Sequence, residues 1–501
     1  MHKALLFIKC PARARKDKDM KRQSGVLMHV SSLYGDYSCG SFGKEAIEFV
    51  DFLEKSGFSC WQTLPFCMTD TVNSPYKSYS SFGGNPNFID LEELAAEGLI
   101  TELELEMSKQ KTPYVCEFDR LNVERLPLLK LATERCSKAK KAKINKFIRE
   151  NPYLEQVCHV MALLTANDNK SWFEWTTEKY DKSVYDLWKF IEYAFFDQWS
   201  KIKKYANSKG ISIIGDIPIY VSDNSADVWA NRDMFLLDED GKPTVVEGVP
   251  PDYFSEDGQL WGNPLYNWEK MAQDGFTWWK DRVKHMYKMF DGVRIDHFRG
   301  LESFWSIPAN AKTAKKGKWV KGPGKAFVDA IQSVTDPKKN FIIAEDLGEI
   351  TPEVEELVKY SGYPGMRVFQ FGFFGDDSSH MPHNYTENCI AYSGTHDNNT
   401  LLGYIWEQEE SERREMFDYI GYEGDDRDRA CDIVVRNIMA SHASTVIFPI
   451  QDLLGFGADT RMNTPGKSEG NWAFRITKDQ LGRLDPEKYH RLNRLYKRGE
   501  L

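Results

Sequence analysis

Three things are scarce in this sequence, and each scarcity removes a class of protein. No apolar run approaches the ~18 residues that a membrane-spanning helix needs. Nine cysteines lie scattered, without a C-x-x-C pair and odd in total, so neither a zinc site nor a disulfide framework is expected and a reducing cytosol fits. Positive charge is in deficit: 65 Lys and Arg against 75 Asp and Glu leave a formal charge of −10. An acidic chain repels phosphate backbones, which argues against nucleic acid as a partner and leaves a neutral polymer unaffected. There is also no internal repeat and no low-complexity tract.

Aromatic residues, by contrast, are plentiful. They make up 13% of the 501 residues, with 14 Trp, 23 Tyr and 30 Phe. They suit either a large core or flat faces for sugar rings, and composition does not choose between the two. Length alone suggests about three domains at roughly 100–200 residues each, but a single (β/α)8 barrel with insertions reaches this size. The opening MHKALLFIKCPARARKDKD has an apolar stretch, Ala4 to Ile8, too short for a signal peptide and without a cleavage site. Residues 1–19 are therefore expected to be a disordered extension ahead of Met20, in preference to a targeting peptide.

Short apolar runs alternate with helical patterns, as in a parallel sheet with crossover helices. Strands are expected at Gly25–Val30, Cys60–Leu64, Ile211–Ile217, Gly292–Ile295, Phe341–Ala344, Arg367–Phe371, Ile390–Ser393 and Thr445–Ile450. Eight such strands suit a closed α/β barrel. The stretch Val184–Ala206 carries apolar residues at 184, 187, 188, 191, 195, 199 and 202, a helical spacing, with Gly210 as the stop. Two intervals are too long for simple βα loops. Residues 91–183 are rich in Lys and Glu and read as a helical insertion, with helices over Leu121–Cys136 and Lys143–Ile148. Residues 218–274, rich in Pro, Gly, Asp and aromatics, read as an irregular lobe over the C-terminal face of the barrel.

Three acids stand at the ends of expected strands: Asp296 in DGVRIDHFRG, Glu345 in FIIAEDLG and Asp397 in YSGTHDNNT. A lone acid there is often a helix cap, but three in separate βα units point to one shared site at the C-terminal mouth. Cleavage of a glycosidic bond needs such a set, one carboxylate to attack and a protonated one to release the leaving oxygen. Arg294 and Asp296 are two apart on a strand and emerge on the same face, so the guanidinium would keep Asp296 ionised. Glu345 would feel Asp296 and Asp397 as like charges in a sheltered cleft, which favours its protonated form.

The runs GDIPIYV, DGVRIDHFRG, AEDLG and SGTHDNNT resemble the four signature regions of the α-amylase superfamily. Their wording is similar to glycoside hydrolase family 77, the amylomaltases or disproportionating enzymes, and SPYKSYSSFGGNP, GVPPDYFSEDGQLWGNPLYNW and RMNTPG strengthen that match. The resemblance spans Ser24 to about Arg475 in order. It implies a (β/α)8 barrel that transfers α-1,4-glucan segments between maltooligosaccharides, or to glucose, with retention and without metal or organic cofactor. It implies Asp296 as nucleophile, Glu345 as acid/base and Asp397 as the third acid, with Arg294 beside the nucleophile. It further implies Ser74, Tyr76, Asp216 and His396 around the donor-site glucose, Asp252 and Trp261 on a loop arching over the cleft, and Asn463 from the last long loop. Lys77, Tyr79 and Glu247 stand where the family varies, which bears on preferred chain length. His29 and His297 match the family pattern too, His297 as a sugar contact or as a satisfied structural histidine. Asp346 fits a helix cap, and Tyr253 and Phe254 fit either loop packing or the cleft. Three rival readings are a hydrolytic α-glucanase with the same acids, an inactive glucan-binding barrel, and a barrel lyase using the acids on magnesium.

Overall fold

The structure is a computed structural model that describes residues 21–70, 72–251, 256–373, 378–467 and 469–499. The expected extension 1–19 lies outside the described residues. Eight parallel strands close into a barrel in the order β1-β8-β7-β6-β5-β4-β3-β2. They are β1 (Gln23–Leu27), β2 (Cys60–Gln62), β3 (Ser212–Ile217) and β4 (Gly292–Ile295), followed by β5 (Phe341–Ala344), β6 (Gly365–Val368), β7 (Cys389–Tyr392) and β8 (Thr445–Pro449). Each overlaps one of the eight apolar runs. The largest offsets are at β1 and β6, each of which begins two residues early and ends three early, and in β6 Phe369–Phe371 coils into a 3-10 turn instead. β4 and β7 are buried along their whole length. Strands covered on both faces read as continuous apolar runs, which is why the sequence displays them.

The helix Lys182–Ser208 is the longest crossover. The Asp181 side chain caps it by accepting from the Ser183 amide, and Leu187, Trp188, Ile191, Phe195, Trp199 and Ile202 form its buried stripe. Gly210, at φ +75°, reverses the chain into β3. On that strand, Gly215 leaves room for a neighbour: a Cβ there would lie 2.3 Å from the Phe290 ring. The tight contact seats β3, and with it Asp216, against the helix layer.

Residues 91–183 supply the helices Leu91–Ala96, Glu102–Met107, Phe118–Glu134, Lys138–Arg149 and Pro152–Ala166, the last three packed on Lys182–Ser208. The stretch 218–274 holds more order than its composition suggests. Its strands Gln259–Pro264 and Val245–Val249 extend into Ser303–Pro308 and Lys318–Lys321 as a four-stranded antiparallel sheet. Half of this sheet comes from beyond β4, and such long-range pairing leaves no local signal. One register slip lies between its first two strands: Val246 pairs with Pro264, but Gly248 pairs with Leu260.

Closure of the barrel depends on the seam between β1 and β8. Arg498 is 1% exposed. It donates to the carbonyls of Met439 (2.8 Å), Gln23 (3.0 Å), Ala443 (3.0 Å) and Ser441 (3.1 Å). Arg22 adds bonds to Ser441 O (2.9 Å) and Met439 O (3.1 Å) from the other side. Hydrogen bonds from charged donors contribute about 1.5–3 kcal/mol each, and buried carbonyls left without one cost a similar amount. Arg498→Ala is therefore expected to lower the stability of the barrel by about 3 kcal/mol or more. A urea unfolding curve checks this, and Arg498→Lys should recover little because one ammonium cannot reach four carbonyls.

Candidate active site

The site is assembled on the C-terminal ends of β3, β4, β5 and β7. Asp216 and Arg294 are paired neighbours in the β3/β4 register, and Arg294 and Asp296 lie two residues apart. Arg294 joins all three: Nη1 donates to Asp216 Oδ2 (2.6 Å) and Nη2 to Asp296 Oδ1 (2.7 Å). The guanidinium is buried, and its Nε rests 3.4 Å from Met366 Sδ. Burial pushes the Asp216 carboxyl up and the adjacent Arg294 charge pulls it down, with a net rise. The hydroxyl of Tyr76 also donates to Asp216 Oδ2, at 2.9 Å. Asp296 keeps more solvent access, its side chain 29% exposed.

Glu345 follows β5 directly. Its backbone amide donates to Ile295 O (3.1 Å), and its carboxyl accepts from the amides of His297 (2.7 Å, on Oε2) and Leu347 (2.8 Å, on Oε1). His297 adopts a left-handed conformation, φ 50° and ψ 46°, which non-glycine residues hold at some cost and which occurs here beside Asp296. Burial raises the Glu345 pKa to about 7; Arg294 opposes the rise and the Asp296 charge adds to it. The expectation of a protonated Glu345 rested on repulsion from Asp296 and Asp397. In the structure, desolvation is the larger cause.

Asp397 and His396 lie beyond β7, gripped by the last long loop. Asn463 Nδ2 donates to Asp397 Oδ1 (2.6 Å), and the Asn463 amide donates to His396 O (3.1 Å). His396 Nε2 lies 3.2 Å from Asp397 Oδ2. Burial would raise the Asp397 pKa, but the His396 and Asn463 contacts outweigh it and hold the carboxyl well below the usual range. Burial would lower the pKa of His396, yet Asp397 reverses the sign and raises it. The imidazole stacks on Tyr76, with centroids 5.1 Å apart and planes 9° from parallel, and Trp472 closes the same aromatic corner at 6.0 Å.

The loop bearing Tyr76 is fixed from below. Asp227 accepts from the amide (2.7 Å) and hydroxyl (2.8 Å) of Ser81, and Glu192 accepts from the Gly84 amide (3.0 Å). Ser74 lies in this loop and turns inward on it, its hydroxyl accepting from the Tyr76 amide at 3.3 Å. Trp261 stands on Gln259–Pro264, 37% exposed, edge to face with the His297 ring at 5.2 Å and 87°. Asp252, Tyr253 and Phe254 lie outside the described residues.

Two neighbours went unnoticed in the sequence. Arg461 donates through Nε to Asn463 O (2.6 Å) and through Nη2 to Asp397 O, so it holds the third acid by its backbone. It stands in the quoted run RMNTPG. Trp472 lacked any local signal. His29 is buried, with Nδ1 3.2 Å from Thr63 Oγ1, and burial followed by the His396 charge takes its pKa down to about 3, so it is neutral. Asp346 accepts from the Met366 amide (2.6 Å) and Arg367 Nη1 (3.1 Å), which ties it to β6. Among the described residues, no three His, Cys, Asp or Glu side chains group so as to hold a metal ion.

This arrangement pairs an arginine-held carboxyl with a buried one whose pKa is raised to about 7, beside a third acid held well below the usual range and an aromatic corner. Comparison with known proteins leads to the same chemistry. The sequence profile of 4-alpha-glucanotransferases matches residues 28–480. A 4-alpha-glucanotransferase of Streptococcus pneumoniae is 42% identical over 499 residues, covering 95% of this chain and 98% of the relative. One from Aquifex aeolicus is 41% identical, over 91% of this chain and 96% of that protein. The amylomaltase of Streptococcus agalactiae, solved with acarbose, superimposes with a TM-score of 0.92 at 36% identity, covering 96% of this chain and all (100%) of that one. The chain belongs to the 4-alpha-glucanotransferase family, glycoside hydrolase family 77.

Proposed function

We propose that this chain transfers α-1,4-glucan segments to the 4-hydroxyl of a second glucan, or of glucose, by a retaining double displacement. The observation that carries the reading is the split between two neighbouring carboxyls. Asp296 sits 2.7 Å from the Arg294 guanidinium, whereas Glu345 is buried with its pKa raised. A carboxyl paired to a guanidinium and a carboxyl raised by burial are suited to different roles, nucleophile and acid.

Asp296 attacks the anomeric carbon while Glu345 protonates the departing O4, leaving a covalent glucosyl-enzyme. A second glucan enters, Glu345 takes the proton of its 4-hydroxyl, and that oxygen displaces Asp296 to form a new α-1,4 bond. The ionised Asp397 binds sugar hydroxyls and stabilises the positive charge that develops at the anomeric centre. His396, Tyr76, Asp216, Ser74 and Asn463 surround the donor glucose. Trp261 offers a face to sugar and keeps water from the intermediate. Residues 20–501 act as one catalytic barrel, with 91–183 and 218–274 as insertions. We infer a cytosolic setting: Cys39, Cys60, Cys67, Cys116, Cys136, Cys158, Cys389 and Cys431 are all free thiols, which persist in a reducing compartment. No helix of the described residues is long and apolar enough to cross a membrane.

The test is incubation with maltotriose. A transferase releases glucose and also builds longer maltodextrins; a hydrolytic glucanase yields only shorter products, and an inactive barrel yields none. Asp296→Asn and Glu345→Gln should each lose at least ~10²–10⁴-fold in activity and remain folded, since each removes a chemical role and little packing.

The pH profile follows from the direction of the Glu345 shift. The acid form is needed in the first step; it is present below a pKa of about 7 and lost above it. kcat/KM should therefore bend near pH 7 and fall about tenfold per unit beyond. A profile flat to pH 9 would refute Glu345 as the acid.

A further inference from the structure

Glu247 is an acid that the reaction above does not use. It lies on Val245–Val249, 1% exposed, in the middle of the sheet that carries Trp261. The register slip falls beside it. Between the pairs Val246–Pro264 and Gly248–Leu260, Glu247 alone faces Trp261, Gly262 and Asn263. Two extra residues therefore bulge from the facing strand, and Gly262, at φ +89°, makes the left-handed turn that the bulge needs. Bulges beside active sites re-aim a side chain. Here the side chain is Trp261, held edge-on to His297, the residue next to Asp296. Asn263 stands at the base of the bulge, and its Nδ2 donates to Glu247 Oε1 at 2.8 Å.

The surroundings of Glu247 suit an uncharged carboxyl. Ser306 is its partner on the other neighbouring strand. The titratable groups facing it are Tyr220 and Tyr266, with Lys77 from the Tyr76 loop; Arg299 faces Tyr220 in turn. Among the described residues, Glu247 Oε2, Asn263 Oδ1 and the Tyr220 hydroxyl have no hydrogen-bond partner. A protonated carboxyl can donate to an acceptor of this kind, and an ionised one cannot. Burial raises the Glu247 pKa to about 8.

We propose that Glu247 is a positioning residue whose uncharged carboxyl clamps the Trp261 bulge through Asn263 and so sets the balance between glucan and water as acceptor. The proposal rests on the reading of Trp261 as the sugar-facing surface of the lobe. Ionisation at alkaline pH strengthens the bond from Asn263 Nδ2 but removes the proton that Glu247 Oε2 can donate, so that buried oxygen carries charge without a partner among the described residues, and the clamp loosens.

The experiment measures disproportionation products against free reducing ends on maltotriose, from pH 6.5 to 9.5. It compares the wild type with Glu247→Gln, Glu247→Ala and Trp261→Ala. The wild-type ratio of transfer to hydrolysis is expected to fall roughly threefold or more between pH 7 and pH 9 as Glu247 ionises. Glu247→Gln keeps the hydrogen bond without the titration, so its ratio should hold at pH 9. Total turnover should follow the same alkaline limb in both proteins, because that limb belongs to Glu345. Glu247→Ala should lower the ratio already at pH 7. The proposal is overturned if Glu247→Gln tracks the wild-type ratio at pH 9, or if Glu247→Ala keeps the wild-type ratio at pH 7. If Trp261→Ala leaves the ratio unchanged, the reading of Trp261 itself fails; if only that variant changes it, Glu247 alone is acquitted of the role.

Discussion

The rest of this active site depends on one buried cation. Arg294 occupies the centre of the barrel mouth and spans two carboxylates, Asp216 at 2.6 Å and Asp296 at 2.7 Å. Lysine could not serve in its place. A planar guanidinium presents donors in a fixed fork, holds both acids in one plane and stays charged when desolvated. A buried charge of this kind is tolerable because both of its ends are paired, and removing either partner would leave an uncompensated ion. The pairing also reaches Tyr76, whose hydroxyl shares Asp216 Oδ2, and through the Tyr76 ring it reaches His396. Elements far apart in the chain are thus brought into register around one side chain.

Three acids share this mouth, and each has a different set of neighbours. Asp296 lies beside Arg294, and Asp397 has a second positive neighbour in His396. Glu345 receives peptide N–H groups from His297 and Leu347 but, among the described residues, no direct ion pair, and burial dominates its titration. Placement, more than chemistry of type, gives the three carboxyl groups different neighbourhoods: one in an ion pair with Arg294, one beside His396 and Asn463, and one buried and raised. The last loop contributes by holding Asp397 twice, by its side chain through Asn463 and by its carbonyl through Arg461.

The legible parts of this molecule are those with a local physical signature. Strands buried on both faces appear as short apolar runs, and all eight lie where such runs occur. Acids at strand ends are conspicuous because the barrel places its chemistry there. Tyr76, His396 and Asn463 are different. Tyr76 bonds to a residue 140 positions away and Asn463 to one 66 away, so only the family resemblance pointed to them. Arg461 escaped because it works through backbone carbonyls, which no residue pattern reports. Trp472, at φ +67°, reaches its corner by a left-handed backbone turn that its own identity does not favour. The four-stranded sheet was hidden for the same reason as these loop contacts: its strands pair across β4, and the slip opposite Glu247 is a property of two strands together.

The seam held by Arg498 has a consequence for how this chain comes into being. β1 emerges early in synthesis, yet its outer edge must wait for β8, and the arginine that ties Gln23 stands 475 residues further on. Until then the nascent barrel is an open, curved sheet with two unpaired edges, each a template for pairing with another chain. Local helices can form as they appear, whereas closure is a single late event between distant segments, the kind of contact that slows folding. A ribosome stalled before β8 would leave a product that carries Asp296, Glu345 and Asp397 but no ring to hold them. Such a product should be a client for chaperones, whatever the stability of the finished fold.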